Sequence, residues 1–393
     1  MRVPIPERQE HILVMLRQRG RIRVADLARE LGISPITARR DVETLAKQGA
    51  LRRTHGVAIA IDAPATAGHP QHPAGRVHLS LRQPSPAVTA PVIGMVVPNA
   101  TYYYADVIRG ARAAVAEANG RLVIGITNYD LDAEREQIRQ MQARGVHALL
   151  LTPAWPTGTS PDEEAERAAR LGVPTVLVER RGKLGFPVGE LDRACSAHAD
   201  GGCLAVRHLA DLGRRRIGLI ARGSPTAAQL EFGYHAALDH LRFPRSSRVV
   251  RTTPPRPDPA QVEATLAAVV AQARRGRIDA ALVHTDQDAM QFVQQLQRQG
   301  LRVPDDIAVV AYDDDLAGLA DPPLTAVAPP KFAIGQASVR LAIGRLGERH
   351  RAVPGLPSAP RHHLELLPEL RIRESCGAPA VARSDYDRTI KRP

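Results

Sequence analysis

A stretch near the start of this 393-residue chain, residues 34 to 42, combines arginines with the signals that begin a helix. It reads Ser-Pro-Ile-Thr-Ala-Arg-Arg-Asp-Val. Ser34 is a favoured N-cap residue, and Pro35 suits the first helical position, where a missing N–H costs nothing. Ala38 and Val42 are four residues apart and therefore share one helix face. The stretch is predicted to form an amphipathic helix that begins at Ser34.

The opposite face of this helix holds four residues, with two more on its flanks. The face carries Ile36, Arg40, Glu43 and Lys47, and the flanks carry Thr37 and Arg39. A helix N-terminus binds phosphate through its free N–H groups, and arginine side chains bind the edges of bases. The geometry predicts that Arg40 makes a bidentate contact with guanine. Ile36 is placed to touch a thymine methyl group.

The neighbouring segments fit the same chemistry. A first helix is predicted over Arg8–Arg17, a second over Val24–Gly32, and a basic hairpin, or wing, over Ala50–Ala58. Residues 1–60 hold twelve Lys and Arg against six acidic residues, which is half of the net charge of +12. Solvated basic helix faces are the alternative interpretation, but helix, turn, capped helix and basic wing together favour DNA binding. The predicted DNA contacts are Ser34, Pro35, Ile36, Thr37, Arg39, Arg40, Lys47, Arg52, Arg53 and His55.

Residues 8–58 resemble the winged helix-turn-helix of the DeoR family of bacterial regulators. The family pattern of Ser, two residues, Thr, an aliphatic residue, Arg-Arg-Asp and an aliphatic residue falls on residues 34–42. Its Gly-x-Leu-x-Arg-x-His-Gly ending falls on residues 49–56. Ala38 replaces the usual Ile and Val57 a usual second Gly, and neither change removes a DNA contact. The resemblance implies a transcriptional regulator that binds a double-stranded DNA operator.

Length and composition limit the remaining possibilities. A chain of this length is expected to form two or three domains, and a hydrophobic content of 44% is that of a globular protein. The three cysteines form an odd count without metal-ligand spacing, which fits a reducing cytoplasm. A signal peptide and an 18-residue apolar segment are not recognised in the sequence. We therefore expect a bacterial cytoplasmic, nucleoid-associated protein with no membrane partner, no metal and no cofactor.

The rest of the chain is predicted to be a linker followed by an α/β domain. Residues 59–90 are rich in Ala, Pro, Gly and His and lack periodicity, which is typical of a flexible linker. From Pro91 onward, short apolar runs alternate with helical stretches in two successive sets, which predicts doubly wound parallel sheets in two lobes. The predicted strands are Val92–Val97, Leu122–Ile126, Ala148–Thr152, Thr175–Val178 and those near 216–221, 248–252, 279–283 and 307–311. The predicted helices lie near 103–118, 132–143, 162–171, 200–212, 226–241, 258–274 and 286–299.

Residues 91–375 resemble the periplasmic-binding-protein-like sensor domain of the LacI/GalR regulators. The resemblance rests on residues 93–98, 103–110, 173–180, 205–217, 285–286, 300–314 and 367–375. It implies a two-lobed clamp that closes on a small molecule and forms a dimer. It also implies that the chain crosses between the lobes near residues 195, 328 and 358. Residues 376–393 are expected to be a disordered tail.

The same resemblance supplies candidate ligand contacts. Tyr103 and Tyr104 fall on the aromatic pair that lines the family's cleft, Arg180 on an arginine that ends a strand, and Asp286 and Asp313 on two cleft aspartates. Aromatic faces together with planar hydrogen-bonding groups suit sugar or base ligands. The alternative for an aromatic residue is a filler of the core or surface, and for an aspartate a helix cap or a loop hydrogen bond.

Position in this chain adds two further candidates. Trp155 follows a predicted strand and is expected to offer a second stacking surface, and Arg222 lies on a strand-exit loop, where ligands of parallel sheets bind. Three positions depart from the family: Leu230 replaces a pocket arginine, Ala197 a cleft-side Asp, and Pro329 a Gln. Two alternatives follow: the ligand is less polar than the family's usual sugars, or Arg222 supplies a replacement charge from a neighbouring loop.

The leading prediction is a ligand-responsive repressor of genes for carbohydrate or related small-metabolite use, acting as a homodimer. One alternative is an enzyme on a doubly wound fold, but the strands are not followed by a Gly-x-Gly-x-x-Gly or Walker loop, and no catalytic triad stands out. The other alternative is an exported solute-binding protein, which the DNA-binding motif disfavours. The identity of the effector, the operator sequence and the sign of regulation do not follow from the sequence.

Overall fold

The computed structural model describes most of both predicted domains. The described residues are 8, 11–16, 21–47, 51–54, 57–59, 90–155, 162–182, 185, 191–243, 249–252, 258–351 and 359–379. The chain divides into two compact units, Met1–Leu81 and Arg82–Pro393. Of the predicted linker, residues 60–89 lie outside the described residues.

The first unit is a winged helix-turn-helix. Its elements are helices 11–16 (α1), Val24–Glu30 (α2) and Pro35–Lys47 (α3), and strands Arg21–Arg23 (β1), Arg52–Thr54 (β2) and Val57–Ile59 (β3). The three strands form an antiparallel sheet in the order β1-β3-β2. Ile12, Leu16, Ala38, Val42 and Leu45 are almost fully buried in one core, so the apolar face that Ala38 and Val42 predicted for the third helix is confirmed.

The first lobe of the second unit is built on a parallel sheet. Its strands are Val92–Val97 (β4), Arg121–Ile126 (β5), Ala148–Leu151 (β6), Thr175–Val178 (β7), Asp192–Ser196 (β8) and His363–Leu366 (β14). Its helices are Tyr103–Glu117 (α4), Leu131–Ala143 (α5), Asp162–Ala169 (α6) and Lys331–Arg351 (α11). The strand order is β14-β8-β7-β6-β4-β5. One apolar cluster packs α4 and α11 on one face of the sheet, and a second packs α5 and α6 on the other.

The second lobe repeats this plan. Its strands are Ile217–Arg222 (β9), Val249–Thr252 (β10), Ala280–His284 (β11), Ala308–Tyr312 (β12), Thr325–Ala328 (β13) and Glu369–Arg371 (β15). Its helices are His198–Asp211 (α7), Ala227–His240 (α8), Pro259–Arg274 (α9) and Asp286–Arg298 (α10). The order is β10-β9-β11-β12-β13-β15, and only the β13–β15 pair is antiparallel. The predicted strands and helices after Pro91 are confirmed to within two residues at each end.

Three chain crossings join the lobes. The first follows β8 at Ala197 and the second follows β13 at 329–330, close to the predicted positions. The third lies at 367–368, between β14 and β15, so its predicted position near 358 is wrong. The chain stays in the first lobe until Leu366 because β14 still pairs with β8. The predicted disordered tail, residues 376–393, begins too early, because Cys376 and Ala378 are buried in the core of the second lobe.

Helix α11, which the sequence reasoning did not predict, packs against α4 through glycines. An ideal Cβ at Gly335 would lie 2.0 Å from the Val107 carbonyl oxygen, and one at Gly110 would lie 1.9 Å from that of Phe332. The two backbones are therefore in direct contact. This packing places Lys331, the first residue of α11, beside Tyr103, with Nζ 5.5 Å from the ring centre. The helices of the described residues include none long and apolar enough to span a bilayer.

Candidate DNA-binding surface and ligand cleft

Helix α3 begins as the sequence predicts. The backbone N–H of Thr37 donates a hydrogen bond to Ser34 Oγ at 3.1 Å, and the two hydroxyl oxygens are 2.8 Å apart. Ser34 is therefore an N-cap that satisfies one of the free N–H groups of the first turn.

The outward face of α3 is exposed and its inward side is anchored. Ile36 is 81% exposed, and Arg39 and Arg40 are also exposed. Asp41, by contrast, is buried and forms an ion pair with Arg8, whose Nε and Nη2 lie 2.5 and 3.1 Å from its two carboxylate oxygens. This ion pair joins α3 to Arg8 and fixes the position of the helix. The exposed Arg39 and Arg40 therefore point to solvent from a fixed position. Five predicted contacts lie outside the described atoms: His55 as a whole and the side chains of Pro35, Lys47, Arg52 and Arg53.

A cavity of about 220 Å³ lies between the lobes of the second unit, at the carboxyl ends of the strands. Five of the seven predicted ligand contacts line it, namely Tyr103, Tyr104, Arg180, Arg222 and Asp313. The cavity therefore lies where parallel sheets place their ligands. The remaining lining residues, which the sequence reasoning did not name, are Asn99, Tyr102, Tyr129, Glu179, His198, Gly223, Ser224, Pro225, Thr226, His284, Thr285 and Gln287.

The other two predicted contacts do not line the cavity. Trp155 is 1% exposed and packs with Ile138 and Met141 in the apolar cluster beneath α5, because the loop after β6 turns inward. Asp286 is fully buried, and its carboxylate accepts hydrogen bonds from the backbone N–H groups of residues 314, 315 and 316 at 3.2, 2.6 and 2.8 Å. Asp286 thus holds the loop that follows Asp313. A loop hydrogen bond of this kind is the alternative to a ligand contact that the sequence left open for Asp286.

Glu179 is the centre of a buried polar network at the first crossing. Its carboxylate accepts hydrogen bonds from Tyr103 Oη at 2.6 Å, Ser196 Oγ at 2.7 Å and the Ser196 N–H at 2.9 Å. His198 Nε2 lies 3.4 Å from the same carboxylate, and His198 Nδ1 lies 2.9 Å from Tyr312 Oη in the second lobe. Burial alone would raise the pKa of Glu179, but the His198, Tyr103 and Ser196 contacts outweigh it and lower that pKa to about 2. Glu179 is therefore an ionised anchor.

Arg180 presents a guanidinium group to the cavity. The residue is 3% exposed, and it donates to the carbonyl oxygens of Pro153 at 3.0 Å and Glu179 at 2.8 Å and, at 3.4 Å, to Tyr104 Oη. Within the described residues, Nη2 has no hydrogen-bond partner and the group forms no ion pair with a carboxylate. Since a buried charge needs partners, this edge of the cavity is suited to an oxygen-rich ligand.

Asp313 faces Arg180 from the second lobe. Burial, and then the neighbouring carboxylates of Asp286 and Asp315, raise its pKa well above the ordinary range, against the opposing effect of Lys331. Tyr102 Oη donates a hydrogen bond to Asp313 Oδ2 at 3.2 Å, and this bond joins the two lobes across the cleft. A carboxyl group in this state can both accept and donate hydrogen bonds.

Arg222 lines the cavity but does not carry a free charge. Its Nε donates to Asp288 Oδ2 at 3.0 Å, and its Nη2 contacts Oδ1 of the same, fully buried carboxylate. Of the two alternatives for the altered cleft, the one in which Arg222 supplies a replacement charge is therefore disfavoured, because Asp288 neutralises it. The departures at Leu230, Ala197 and Pro329 are all buried, and none of the three lines the cavity.

Some of the lining residues that were not predicted lie next to predicted ones in the sequence. Tyr102 and Glu179 are each adjacent to a residue that was predicted, and His284 and Thr285 directly precede Asp286. All lie on or beside strand-exit loops, which the sequence reasoning had selected as the place to look. Which side chain of a loop turns inward, however, depends on backbone conformation: Tyr102, Tyr129, Glu179 and Asp313 have positive φ angles of 51°, 62°, 54° and 102°.

Comparison with known proteins agrees with both units. Residues 8–63 match the family model of the DeoR-like helix-turn-helix domain, and residues 206–376 match that of the periplasmic binding protein-like domain. Among solved structures, the chain is similar to the transcriptional regulator CelR in complex with cellobiose, with a TM-score of 0.60 and 22% identity over 87% of this chain and 91% of that one. It is similar to the lac repressor dimer bound to operator and the anti-inducer ONPF, with a TM-score of 0.60 and 20% identity over 74% and 83% of the two chains. These likenesses concern the fold.

Sequence relatives establish the family. The HTH-type transcriptional regulator MalR of Streptomyces coelicolor is 32% identical over 250 residues, which are 62% of this chain and 67% of MalR. The HTH-type transcriptional repressor PurR of Photobacterium profundum is 26% identical over 292 residues, or 73% of this chain and 81% of PurR. These relatives are regulators and not enzymes. The chain belongs to the LacI-type family of HTH-type transcriptional regulators, and its DNA-binding part is a DeoR-like helix-turn-helix.

Proposed function

We propose that this regulator is a repressor whose effector is a sugar or a related small polyhydroxy metabolite, and that binding between the lobes changes its affinity for the operator. The observation that carries the proposal is the guanidinium of Arg180, which is buried at the cavity wall without a carboxylate partner within the described residues. Hydroxyl groups of a sugar can accept hydrogen bonds from Arg180 and also donate to the oxygens around it.

The surrounding groups support a polyhydroxy ligand. Tyr102, Tyr103, Tyr104 and Tyr129 all line the cavity and offer ring faces and phenol oxygens. Asp313 adds a carboxyl group on the opposite wall. Among similar proteins, CelR is solved with cellobiose and an Enterococcus faecium LacI family regulator with ribose, and a similar regulator of Geobacillus stearothermophilus is named an arabinose metabolism repressor. The cavity is proposed to bind its ligand and not to transform it.

On the DNA side, we propose that the exposed face of α3 enters the major groove. Arg39, Arg40 and Ile36 project there from a capped helix start, which suits phosphate contacts and base readout together. Pro35, Lys47, Arg52, Arg53 and His55 remain proposed contacts. Two such readers joined in a homodimer would bind an operator of two half-sites far more tightly than one. Binding of this kind implies a nucleoid-associated location.

The proposal is tested with the variant Arg180→Ala. Thermal melting of the wild-type chain is measured with cellobiose, D-ribose and L-arabinose, because a molecule that binds only the folded state raises the melting temperature. Binding to a duplex of the gene's own upstream region is then measured with and without the sugar that raises it. We expect R180A to keep its basal DNA binding and to lose the sugar response.

The matched control is Glu117→Gln, an exposed position on α4 away from the cavity. It should keep both DNA binding and the sugar response. A chain that binds none of the three sugars, or an R180A variant that still responds fully, contradicts the proposed effector site.

A further inference from the structure

Arg180 is linked to a second buried residue of the first lobe through a single peptide group. Its Nε donates to the carbonyl oxygen of Pro153 at 3.0 Å, and the N–H of the same peptide group, which belongs to Ala154, donates to Glu134 Oε2 at 2.6 Å. This peptide bond is trans, so its C=O and N–H point in opposite directions. The guanidinium and the carboxylate therefore lie on opposite sides of one peptide group, each at the end of the peptide dipole that attracts it.

The connecting peptide group is held in place on both sides. Thr152, which precedes it, donates its N–H to the carbonyl oxygen of Val96 at 2.9 Å. Trp155, which follows it, is buried in the apolar cluster beneath α5. Hydrogen bonds in series polarise one another in a medium of low dielectric constant. The peptide group is therefore a fixed, polarised connection between the Glu134 carboxylate and the Arg180 guanidinium.

Glu134 carries a negative charge behind the wall of the cavity. It lies in the first turn of α5, is 5% exposed and is not among the lining residues. The other charged groups that act on it are Arg135 of α5 and Glu164 of α6, which form an ion pair at 2.5 Å, and Arg180. Burial raises the pKa of Glu134 to about 7; the Ala154 N–H opposes this rise, Glu164 adds to it, and Arg180 and Arg135 oppose it. Glu134 is therefore mostly ionised at pH 8 and mostly protonated at pH 6.

Of the two arginines that line the cavity, Arg180 is the one that an anionic ligand would approach. Arg222 is paired directly with the buried carboxylate of Asp288. The carboxylate of Glu179, next to Arg180 in the sequence, is directed at its own hydrogen-bond donors. An anionic group at Arg180 would be separated from Glu134 by the guanidinium and one peptide group. Since buried charges are screened only weakly, an ionised Glu134 would repel that group.

We propose that Glu134 acts through Arg180 as a positioning residue that makes the cavity select uncharged sugars over anionic ones. A hydroxyl group accepts a hydrogen bond from Arg180 whether or not Glu134 is ionised. A carboxylate ligand is attracted by the same guanidinium, but the negative charge behind it offsets part of that attraction. This inference rests on the proposed sugar effector and adds the charge class that the site accepts.

The test replaces Glu134 by glutamine in the full chain, because glutamine keeps an acceptor for the Ala154 N–H and removes only the charge. Titration calorimetry at pH 8 uses whichever of cellobiose, D-ribose and L-arabinose raises the wild-type melting temperature, together with its aldonate, in which the aldehyde carbon is oxidised to a carboxylate. We expect E134Q to bind the uncharged sugar within about threefold of the wild type and the aldonate about tenfold more tightly. The matched control E117Q, at an exposed glutamate of α4, should bind both compounds as the wild type does.

A second measurement at pH 6 separates charge from a merely structural role. The aldonate stays ionised at this pH, whereas wild-type Glu134 becomes mostly protonated, so the difference in aldonate affinity between the wild type and E134Q should shrink. The other titratable groups of the cavity, among them His198 and Asp313, are present in both chains and cancel in this comparison.

The outcomes distinguish this inference from the proposed function. Weaker binding of both compounds by E134Q, or an unchanged aldonate affinity, overturns the inference while the proposed function stands. If E134Q does not fold, the wild type alone decides: an aldonate-to-sugar affinity ratio that rises from pH 8 to pH 6 supports the inference, and an equal ratio overturns it. Binding of none of the three sugars by the wild type overturns both.

Discussion

Replacing Glu179 by glutamine tests whether the buried network at the first crossing holds the first lobe together. The carboxylate receives three hydrogen bonds, from Tyr103 and Ser196, and has His198 beside it. A glutamine of the same shape has one acceptor oxygen, and when that oxygen faces the two hydroxyl groups its amide N–H group faces the backbone N–H of Ser196, which can only donate. We therefore expect E179Q to fold with a marked loss of stability.

The size of the loss follows from the pKa. Glu179 has a pKa lowered from 4.5 to about 2, and a difference of this size between the folded and unfolded states corresponds to about 3 kcal/mol of folding free energy. Because the folded pKa is the lower one, this stabilisation is fully present above pH 4.5 and is lost as the pH falls through the folded value. Near pH 3 about half of it remains.

The assay is urea unfolding followed by the fluorescence of Trp155, the only tryptophan, which is buried in the same lobe as Glu179. E179Q should unfold at a lower urea concentration than the wild type at pH 7, and the gap should narrow by about half near pH 3. The control E117Q, at an exposed glutamate of α4 in the same lobe, should match the wild type at both pH values. A loss under about 1 kcal/mol at pH 7, or a gap that does not change with pH, would refute the reasoning.

Three further outcomes test other parts of the molecule. Arg40→Ala should weaken operator binding in a gel-shift titration by about 1–3 kcal/mol and relax the preference at one base pair. The control Arg112→Ala removes the same charge from the sensor domain and should leave operator binding unchanged. Equal effects of the two substitutions would contradict the proposal that Arg40 contacts DNA. In thermal melting, Gly335→Ala should destabilise the sensor by about 1–3 kcal/mol because its Cβ would meet the Val107 carbonyl oxygen at 2.0 Å. A Cβ at Gly344 in the same helix would have no atom within 4 Å, so Gly344→Ala should stabilise the sensor by up to about 1 kcal/mol. If both substitutions stabilised or both destabilised the sensor, the close contact between α4 and α11 would be contradicted. Sedimentation of the full chain at micromolar concentration should give a dimer, and a monomer would contradict the proposed pairing of DNA readers.

The sequence predicted the elements whose buried residues form short, uninterrupted apolar runs. A parallel strand with both faces covered reads as a short apolar run, as Ala148–Leu151 and Thr175–Val178 do, and its ends are easy to place. Helix α11 was not predicted: it begins with Lys331 and its contact with α4 is made through Gly335, although Ile334, Val339 and Leu346 of the same helix are buried in the core of the first lobe. Strand β8 begins with Asp192, whose charge hides it from a search for apolar runs. Its carboxylate is nevertheless buried, in an ion pair with Arg345 at 2.5 Å.

The sequence located the candidate cavity but predicted only some of the side chains that line it. The rule that ligands lie at strand-exit loops selected loops that line the cavity, and it selected Trp155 and Asp286 along with them. Their directions are set by contacts distant in sequence: Trp155 is drawn into the apolar cluster under α5, and Asp286 is drawn to the N–H groups of residues 314–316. Likewise, the partner that neutralises Arg222 is 66 residues away, at Asp288. Pairings of this kind appear only when the sheet is assembled.

The Glu179 network also connects the cavity to the first crossing between the lobes. Glu179 and Tyr103 line the cavity, and the same carboxylate grips the N–H and hydroxyl of Ser196, the last residue of β8 before the first crossing. His198, the first residue of α7, continues the chain of contacts to Tyr312 of the second lobe at 2.9 Å. Because His198 and Tyr312 both belong to the second lobe, a rotation of one lobe against the other about this crossing would change the distance between Glu179 and His198. Because Glu179 is an ionised group whose partners lower its pKa to about 2, its contact with His198 at 3.4 Å joins the two lobes at the first crossing and resists their separation.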